Sequence, residues 1–211
     1  MLIHRTLARY ASYGIVPLLF LLLSACDGTE LAVLPPTATV LAFGDSLTYG
    51  TGARREEAYP TVLAELIDMK VINAGVPGEI SAKGLQRLRG LLQQHQPDLV
   101  VLVHGGNDTL RKLPTHLTQA NLLAMIQASR AIGAQVIMLG VPGRSLTLSA
   151  PDFYEEVAEE NNVPIDADVL PSLMRNSAMK SDPVHFNTEG YRRMAEAVRD
   201  LLIASGALAS G

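Results

Sequence analysis

The chain has 211 residues, of which 48% are hydrophobic and 18% charged, and this composition fits one globular α/β domain better than two small domains or a disordered segment. Its 17 basic and 21 acidic side chains give a formal charge of -4, whereas binding to a phosphate backbone needs clustered Lys and Arg. Nucleic acid is therefore excluded as an expected partner.

The first 25 residues have the order of an export signal. His4, Arg5 and Arg9 precede an apolar stretch, residues 15–23, which is too short to span a bilayer comfortably. The sequence then reads Leu-Ser-Ala-Cys and reaches Cys26, which is the only cysteine of the chain. We therefore expect residues 1–25 to be a signal peptide and leave them out of the predicted fold.

The Leu-Ser-Ala-Cys run resembles the lipobox of bacterial lipoproteins, in which the cysteine becomes the lipid-modified first residue of the mature chain. This resemblance implies lipidation of Cys26 and attachment to a membrane of the bacterial cell envelope, on the periplasmic side. A lone cysteine in an exported protein can form no internal disulfide, and lipidation would give it a role. The alternative is an ordinary secretory signal and a soluble periplasmic or secreted protein.

Residues 26–38 contain Pro35-Pro36 and several small side chains, which predicts a tether, and the folded domain is expected over residues 39–211. Short apolar runs follow without clean alternation, as is typical of buried parallel strands. The predicted strands are residues 40–43, 71–73, 99–103, 135–140 and a less apolar run at 163–166.

Apolar side chains recur at helical spacing between and after these runs. One predicted helical face consists of Leu85, Leu88, Leu91, Leu92 and His95. Leu122, Met125 and Ile126 indicate another helix, and a further helix is expected after Asp152. The face of the last helix consists of Tyr191, Met194, Ala195, Val198, Leu201 and Leu202. The alternation of strands and helices predicts a doubly wound, three-layer α/β/α sandwich with no second domain.

Ligands of such sheets bind beyond the carboxyl ends of the strands, so polar residues that follow the predicted strands are the first candidates for a site. In chain order they are Gly44, Asp45, Ser46, Gly78, Gly105, Gly106, Asn107 and Asp108, joined by Asp182 and His185 before the last helix. Singly, each has an ordinary structural role open to it, such as a helix cap or a turn. Together they supply a nucleophile, a base, an orienting acid and oxyanion donors, which acyl transfer requires.

Four segments of the chain resemble, in order, the four sequence blocks of the SGNH or GDSL hydrolases. They are Phe43-Gly44-Asp45-Ser46-Leu47-Thr48, the run from Asn73 to Gly78, Gly105-Gly106-Asn107-Asp108, and Asp182-Pro-Val-His185. The sequence is most similar to the bacterial branch that contains thioesterase I, lysophospholipase and arylesterase. This resemblance implies a parallel, flavodoxin-like sheet of about five strands. It also implies a serine esterase that acts on small acyl esters and uses neither a cofactor nor a metal.

The resemblance further implies a role for each site residue. Ser46 would attack the acyl carbon after His185 takes its proton, and Asp182 would orient the imidazole. The oxyanion would be bound by the backbone N–H groups of Ser46 and Gly78 and by the side-chain amide of Asn107. Glycine at position 78 would let the backbone approach without a Cβ in the way.

The sequence is compatible with three functions. The first is a lipolytic esterase of the arylesterase, lysophospholipase or acyl-thioesterase type, and the second is an O-deacetylase of cell-envelope or other polysaccharides. The third, from another class, is a catalytically inactive envelope-binding lipoprotein. Ser46 lacks the surrounding Gly-x-Ser-x-Gly elbow, which disfavours the α/β-hydrolase fold.

Several further side chains have two possible roles. Residues 110–114, together with Leu146 and Leu148, are expected either to line an acyl groove or to pack in the ordinary way. His104 either tunes the pocket or is a structural histidine at a strand end. His95 and His116 have no partner spacing that would predict a metal site.

Overall fold

The computed structural model describes residues 29–143 and 148–209. The strands are β1 (Thr39–Gly44), β2 (Lys70–Gly75), β3 (Leu99–Val103), β4 (Gln135–Leu139) and β5 (Ile165–Asp166). The helices are α1 (Ser46–Tyr49), α2 (Tyr59–Ile67), α3 (Ser81–His95), α4 (Gly106–Leu110), α5 (Thr115–Arg130), α6 (Phe153–Glu160), α7 (Val169–Arg175) and α8 (Thr188–Ala204). Short 3₁₀ turns lie at Arg55–Glu57 and Ser177–Met179. The predicted signal peptide and Cys26 lie outside the described residues.

The strands form one parallel sheet in the order β2-β1-β3-β4-β5. The chain first goes outward from β1 to β2 and then crosses back to place β3 on the other side of β1. This is the flavodoxin-like order, in which the direction of winding reverses between β1 and β3. The predicted fold is therefore confirmed, and the reversal leaves a crevice at the carboxyl ends of these two strands.

The sheet is covered by two groups of packed helices. Helix α3 packs against α5, and α2 packs against α8. Every residue of β3 is buried, as its uninterrupted apolar sequence predicts. The predicted helical faces point inward, with Leu88 and Leu92 of α3 and Met194 and Val198 of α8 buried in the core. Helices α2 and α7 were not predicted, because they are short and each carries a proline near its start.

The described part of the predicted tether lies against the domain from residue 31 onward. The Leu34 N–H donates to the carbonyl of Ala207, just after α8, and the Leu34 side chain is buried. The side-chain amide of Gln135, at the start of β4, exchanges two hydrogen bonds with the backbone of Ala32, at 2.6 and 2.8 Å. Because these contacts bury apolar surface and satisfy backbone groups, this segment forms part of the domain at the amino ends of the strands.

None of the helices within residues 29–143 and 148–209 has both the length and the hydropathy needed to span a bilayer.

The different burial of two leucines on α3 gives a test of this packing. Leu88 is fully buried, whereas Leu91 is only partly buried. We expect Leu88→Ala to lower the free energy of unfolding by about 2–5 kcal/mol, because it removes buried methyl groups and leaves a cavity. Leu91→Ala, the matched control, should lower the free energy of unfolding clearly less. Urea denaturation measures both, and an equal or larger loss for Leu91→Ala would contradict the packing of α3.

Candidate active site

Ser46 is the first residue of α1, directly beyond the carboxyl end of β1. The capping role that its sequence position allowed belongs instead to Asp45, whose Oδ1 accepts a hydrogen bond from Leu47 N at 3.2 Å. The first backbone N–H groups of a helix have no acceptor within it, and the N-terminal end carries a partial positive charge. The Ser46 N–H therefore lies where a developing negative charge would be stabilised.

A continuous chain of hydrogen bonds joins Ser46, His185 and Asp182. The Nε2 atom of His185 lies 3.0 Å from the Oγ atom of Ser46, and Nδ1 lies 2.7 Å from Oδ2 of Asp182. Because a carboxylate can only accept, Nδ1 carries the imidazole proton and the lone pair of Nε2 faces the serine hydroxyl. The residues that the sequence places 139 positions apart thus meet in the geometry of a nucleophile and its base.

Asp182 is fixed by its own loop. Its Oδ1 accepts from the backbone N–H groups of Val184 and His185, both at 2.9 Å, which leaves Oδ2 for the imidazole. Burial alone would raise the pKa of Asp182, but the hydrogen bonds donated by Val184 and His185 hold it below its usual range. The lowered pKa favours the ionised carboxylate, which can only accept hydrogen bonds from the imidazole.

Gly78 lies in a tight turn at the pocket edge. The Glu79 N–H donates to the carbonyl of Val76 at 3.2 Å, Pro77 is the second residue of the turn, and Gly78 has a φ of +75°. This is the pattern of a type II turn, which requires a positive φ at its third residue. A Cβ added to Gly78 would approach no atom closer than 3.8 Å, so glycine is needed here for its conformation, whereas the sequence suggested close approach.

Asn107 enters the site from the first turn of α4. Its Nδ2 donates to Oδ2 of Asp45 at 3.0 Å, which uses one of the two amide protons and leaves the other for the pocket. Full burial raises the pKa of Asp45, and the hydrogen bonds from Leu47 and Asn107 partly oppose this shift. Asp45 thus caps the serine helix and orients Asn107 with the same carboxyl group.

A cluster of three charged or titratable side chains lies behind these loops. Arg87 binds both carboxylate oxygens of Glu79, donates to the carbonyl of Gly44 at 3.3 Å, and covers the ring of Phe43. His104 lies 3.3 Å from Glu79 through Nε2. Burial would raise the pKa of Glu79, but the hydrogen bonds from His104 and Arg87 lower it to about 2. The cluster thus links the loops that follow β1, β2 and β3, which carry Ser46, Gly78 and Asn107.

His104 is a structural histidine, the second of its two predicted roles. Its side chain is fully buried and does not line the pocket. The Gly105 N–H donates to Nδ1 at 3.0 Å, so Nε2 carries the proton that faces Glu79. A Cβ on Gly84 would lie 2.4 Å from this ring, which explains why α3 carries glycine where it passes His104.

Asp108, the last residue of the third block, is structural as well. Its buried carboxylate accepts from the backbone N–H and the hydroxyl of Ser81, at 2.8 and 2.6 Å. The hydroxyl of Thr118 approaches the same carboxylate at 3.4 Å. Ile80 supplies no side-chain cap to α3, so Asp108 caps this helix from a distant part of the chain.

The candidate site opens into one cavity of about 240 Å³. Its polar lining includes Ser46, His185 and Asn107. Its walls are largely apolar and are formed by Leu47, Pro77, Leu110, Val141, Pro142, Met174 and Val184. The arrangement can bind an acyl group beside a serine and its base.

The GDSL-like lipase/acylhydrolase family matches residues 42–193 of the chain. The chain belongs to this family. The matched range contains all four sequence blocks and ends within α8.

Named relatives of this GDSL-like hydrolase are bacterial. The arylesterase of Vibrio mimicus is 31% identical over 175 residues, which cover 78% of this chain and 88% of the relative. Thioesterase 1/protease 1/lysophospholipase L1 of Escherichia coli strain K12 is 31% identical over 170 residues, which cover 75% of this chain and 80% of the relative. The crystal structure of TesA has a TM-score of 0.70 and 29% identity, and the match covers 78% of this chain and 97% of that one.

The apolar wall of the hydrolase differs from its prediction. Leu110 lines the cavity, but Leu113 lines a separate cleft beside it, and Leu148 lines neither. Leu146 lies outside the described residues. Val141 and Pro142 were not predicted as site residues, although they lie only two and three residues beyond the end of β4, where the rule that located Ser46 applies. Met174 had no such signal, because the short helix α7 brings it to the cavity.

No group of three or more His, Cys, Asp or Glu side chains in the described ranges is arranged to hold a metal ion.

The turn at Gly78 gives a direct test of the site geometry. Gly78→Ala should lower kcat by about 10²-fold, because a methyl group disfavours the positive φ and the N–H of residue 78 then turns away from the oxyanion. The midpoint of thermal unfolding should fall by only a few degrees, because the positive φ costs alanine about 1–2 kcal/mol while the structure has room for the methyl group. Gly90→Ala is the matched control, because Gly90 is exposed in α3 and no atom lies within 4 Å of the added Cβ. A Gly78→Ala enzyme with wild-type kcat would contradict the assignment.

Proposed function

We propose that this chain hydrolyses carboxylic acyl esters through an acyl-enzyme intermediate on Ser46. The observation that carries the proposal is the unbroken hydrogen-bond chain from Ser46 through His185 to Asp182, of which Ser46 and His185 line a largely apolar cavity. The description of the family as lipases and acylhydrolases, and relatives named arylesterase and thioesterase/lysophospholipase, support the same class of reaction.

In the proposed reaction, Nε2 of His185 takes the proton of Ser46 as Oγ attacks the acyl carbon. Asp182 stabilises the imidazolium that forms, and the imidazolium then gives the proton to the leaving alcohol or thiol. Water, activated by the same histidine, releases the acid and restores the serine. The short contacts at both nitrogens of His185 favour this sequence, since the base needs no rearrangement before the attack.

The oxyanion would be bound by three donors from three segments of the chain: the N–H groups of Ser46 and Gly78 and the amide of Asn107. All three residues line the same cavity. The hydrogen bond from Asn107 to Asp45 supports this role, because it fixes the amide plane before the substrate arrives.

The cavity favours short or medium acyl chains as substrates. Its volume of about 240 Å³ lies below the ~300–1,000 Å³ that is usual for drug-sized ligands, and its walls are mainly apolar. An acyl ester or thioester would place its chain against these walls. An O-acetyl glycan would leave most of them without a partner, so we place deacetylation of polysaccharides second.

Hydrolysis of p-nitrophenyl butyrate by the purified chain tests the proposal. Ser46→Ala should lower kcat by at least about 10³-fold, because the nucleophile is lost. Ser172→Ala, an exposed serine of α7, is the matched control and should keep wild-type kcat.

Substrates of different acyl length decide between the functions. Butyrate and longer p-nitrophenyl esters and thioesters should be cleaved faster than acetylated xylan. Faster release of acetate from xylan would replace the esterase with a glycan deacetylase. If no substrate were cleaved and no fluorophosphonate probe labelled Ser46, the chain would be a binding protein.

The proposal also has a part that concerns location: Cys26 carries a lipid that holds the enzyme on a membrane of the cell envelope, facing the periplasm. The Leu-Ser-Ala-Cys run, the preceding export signal and the lack of any other cysteine support it. Acyl chains contribute roughly 0.8 kcal/mol for each buried CH₂, so two or three of them would anchor the domain firmly.

Metabolic labelling with radioactive palmitate tests the anchor. We expect the full chain to incorporate palmitate and to sediment with membranes, and Cys26→Ser to lose both properties while it keeps esterase activity. If the wild-type chain took up no palmitate, the enzyme would be a soluble periplasmic or secreted protein.

A further inference from the structure

Arg111 directly follows Leu110, which lines the catalytic cavity. Its Nη2 donates to the carbonyl of Gly78, another residue of the cavity lining, at 2.8 Å. No backbone N–H in the described part of the chain donates to this carbonyl, so the guanidinium satisfies an acceptor that the turn leaves open. Arg111 is exposed, and the core does not require it.

The same residue is fixed to the helix that carries Asn107. The backbone N–H of Arg111 donates to the carbonyl of Asn107 at 3.0 Å, at the end of α4. Arg111 therefore connects two segments by two hydrogen bonds, one to each. These are the segments that carry two of the three proposed oxyanion donors.

The turn at Gly78 is held from within by a different arginine. The next residue, Glu79, is bound by Arg87 and His104 behind the turn. Arg111 holds the outer side, where the turn faces the cavity and where glycine leaves the backbone unusually free. Arg87 and His104 therefore restrain the turn through Glu79, and Arg111 restrains it through the Gly78 carbonyl. These contacts fix the distance between the Gly78 N–H and the Asn107 amide.

We propose that Arg111 is a positioning residue for the oxyanion hole, an inference that rests on the proposed esterase function. It acts through Gly78 and Asn107. The hydrogen bond from Arg111 restrains the Gly78 carbonyl and therefore the turn that presents the Gly78 N–H to the cavity. Misalignment of donors weakens binding of the transition state more than binding of the ground state, so the effect falls on kcat.

Arg111→Met tests this role, because methionine keeps much of the aliphatic stem and removes the hydrogen bond. With p-nitrophenyl butyrate, kcat should fall about tenfold and KM should stay within about twofold. Lys112→Met is the matched control, since it removes a neighbouring exposed cation that has no such bond to the Gly78 turn, and it should leave both constants unchanged. Thermal unfolding should show wild-type stability for both variants.

Two further measurements separate positioning from a general structural role. The double variant Arg111→Met/Asn107→Ala should lose less kcat than the product of the two single fold-losses in kcat, because both residues act on the same oxyanion hole. Added guanidinium ion at millimolar concentration should restore part of the kcat of Arg111→Ala and should not change that of Lys112→Ala.

The outcomes are distinct. An inactive wild-type enzyme would refute the esterase proposal itself. An active wild type with unchanged kcat in Arg111→Met would overturn the inference about Arg111. A rise in KM alone would overturn it in favour of a direct contact between Arg111 and the substrate.

Discussion

The catalytic edge of this protein depends on one buried carboxylate, Glu79, and its two partners. Three loops from three strands must meet within hydrogen-bond distance, and Arg87 and His104 bind Glu79 between them. A buried ion pair gives little net stability, but removal of one partner leaves a charge without compensation, so the arrangement is strongly specified. Since the pKa of Glu79 is lowered to about 2, the stability it contributes is present above its unfolded-state pKa and is lost as the pH falls from there toward about 2.

The sequence predicted the features that local pattern determines. Apolar runs such as Leu99–Val103 are typical of buried parallel strands, and the leucines of α3 repeat at the helical period. The crossover rule then predicted a doubly wound sandwich, and the family resemblance implied its flavodoxin-like sheet of about five strands. The rule that ligands bind beyond the carboxyl ends of strands singled out Ser46, Gly78 and Asn107. The resemblance of four blocks to a known family added the roles of Asp182 and His185. These steps need no knowledge of which distant side chains touch.

Features that arise from contacts between distant segments could not be predicted in this way. The choice of Asp45 over Ser46 as the helix cap depends on backbone geometry, and so does the positive φ that makes glycine necessary at position 78. The sequence left two roles open for His104, and the contact with Glu79, which lies 25 residues earlier in the chain, decides for the structural one. The predicted tether contains Leu34, whose burial against the end of α8 outweighs the flexible composition of the segment.

The docked N-terminal segment would set the orientation of the domain on a membrane if the proposed anchor is present. It leaves the domain at the amino ends of the strands, whereas Ser46 lies beyond the carboxyl end of β1. An anchor at Cys26, as proposed, would leave only about five residues between the lipid and the docked chain, a reach of roughly 17 Å even when fully extended. The strands would then stand upright on the bilayer, with the cavity directed into the aqueous compartment. Such an enzyme would meet dissolved or carried esters, and the lipids of its own leaflet would lie out of its reach.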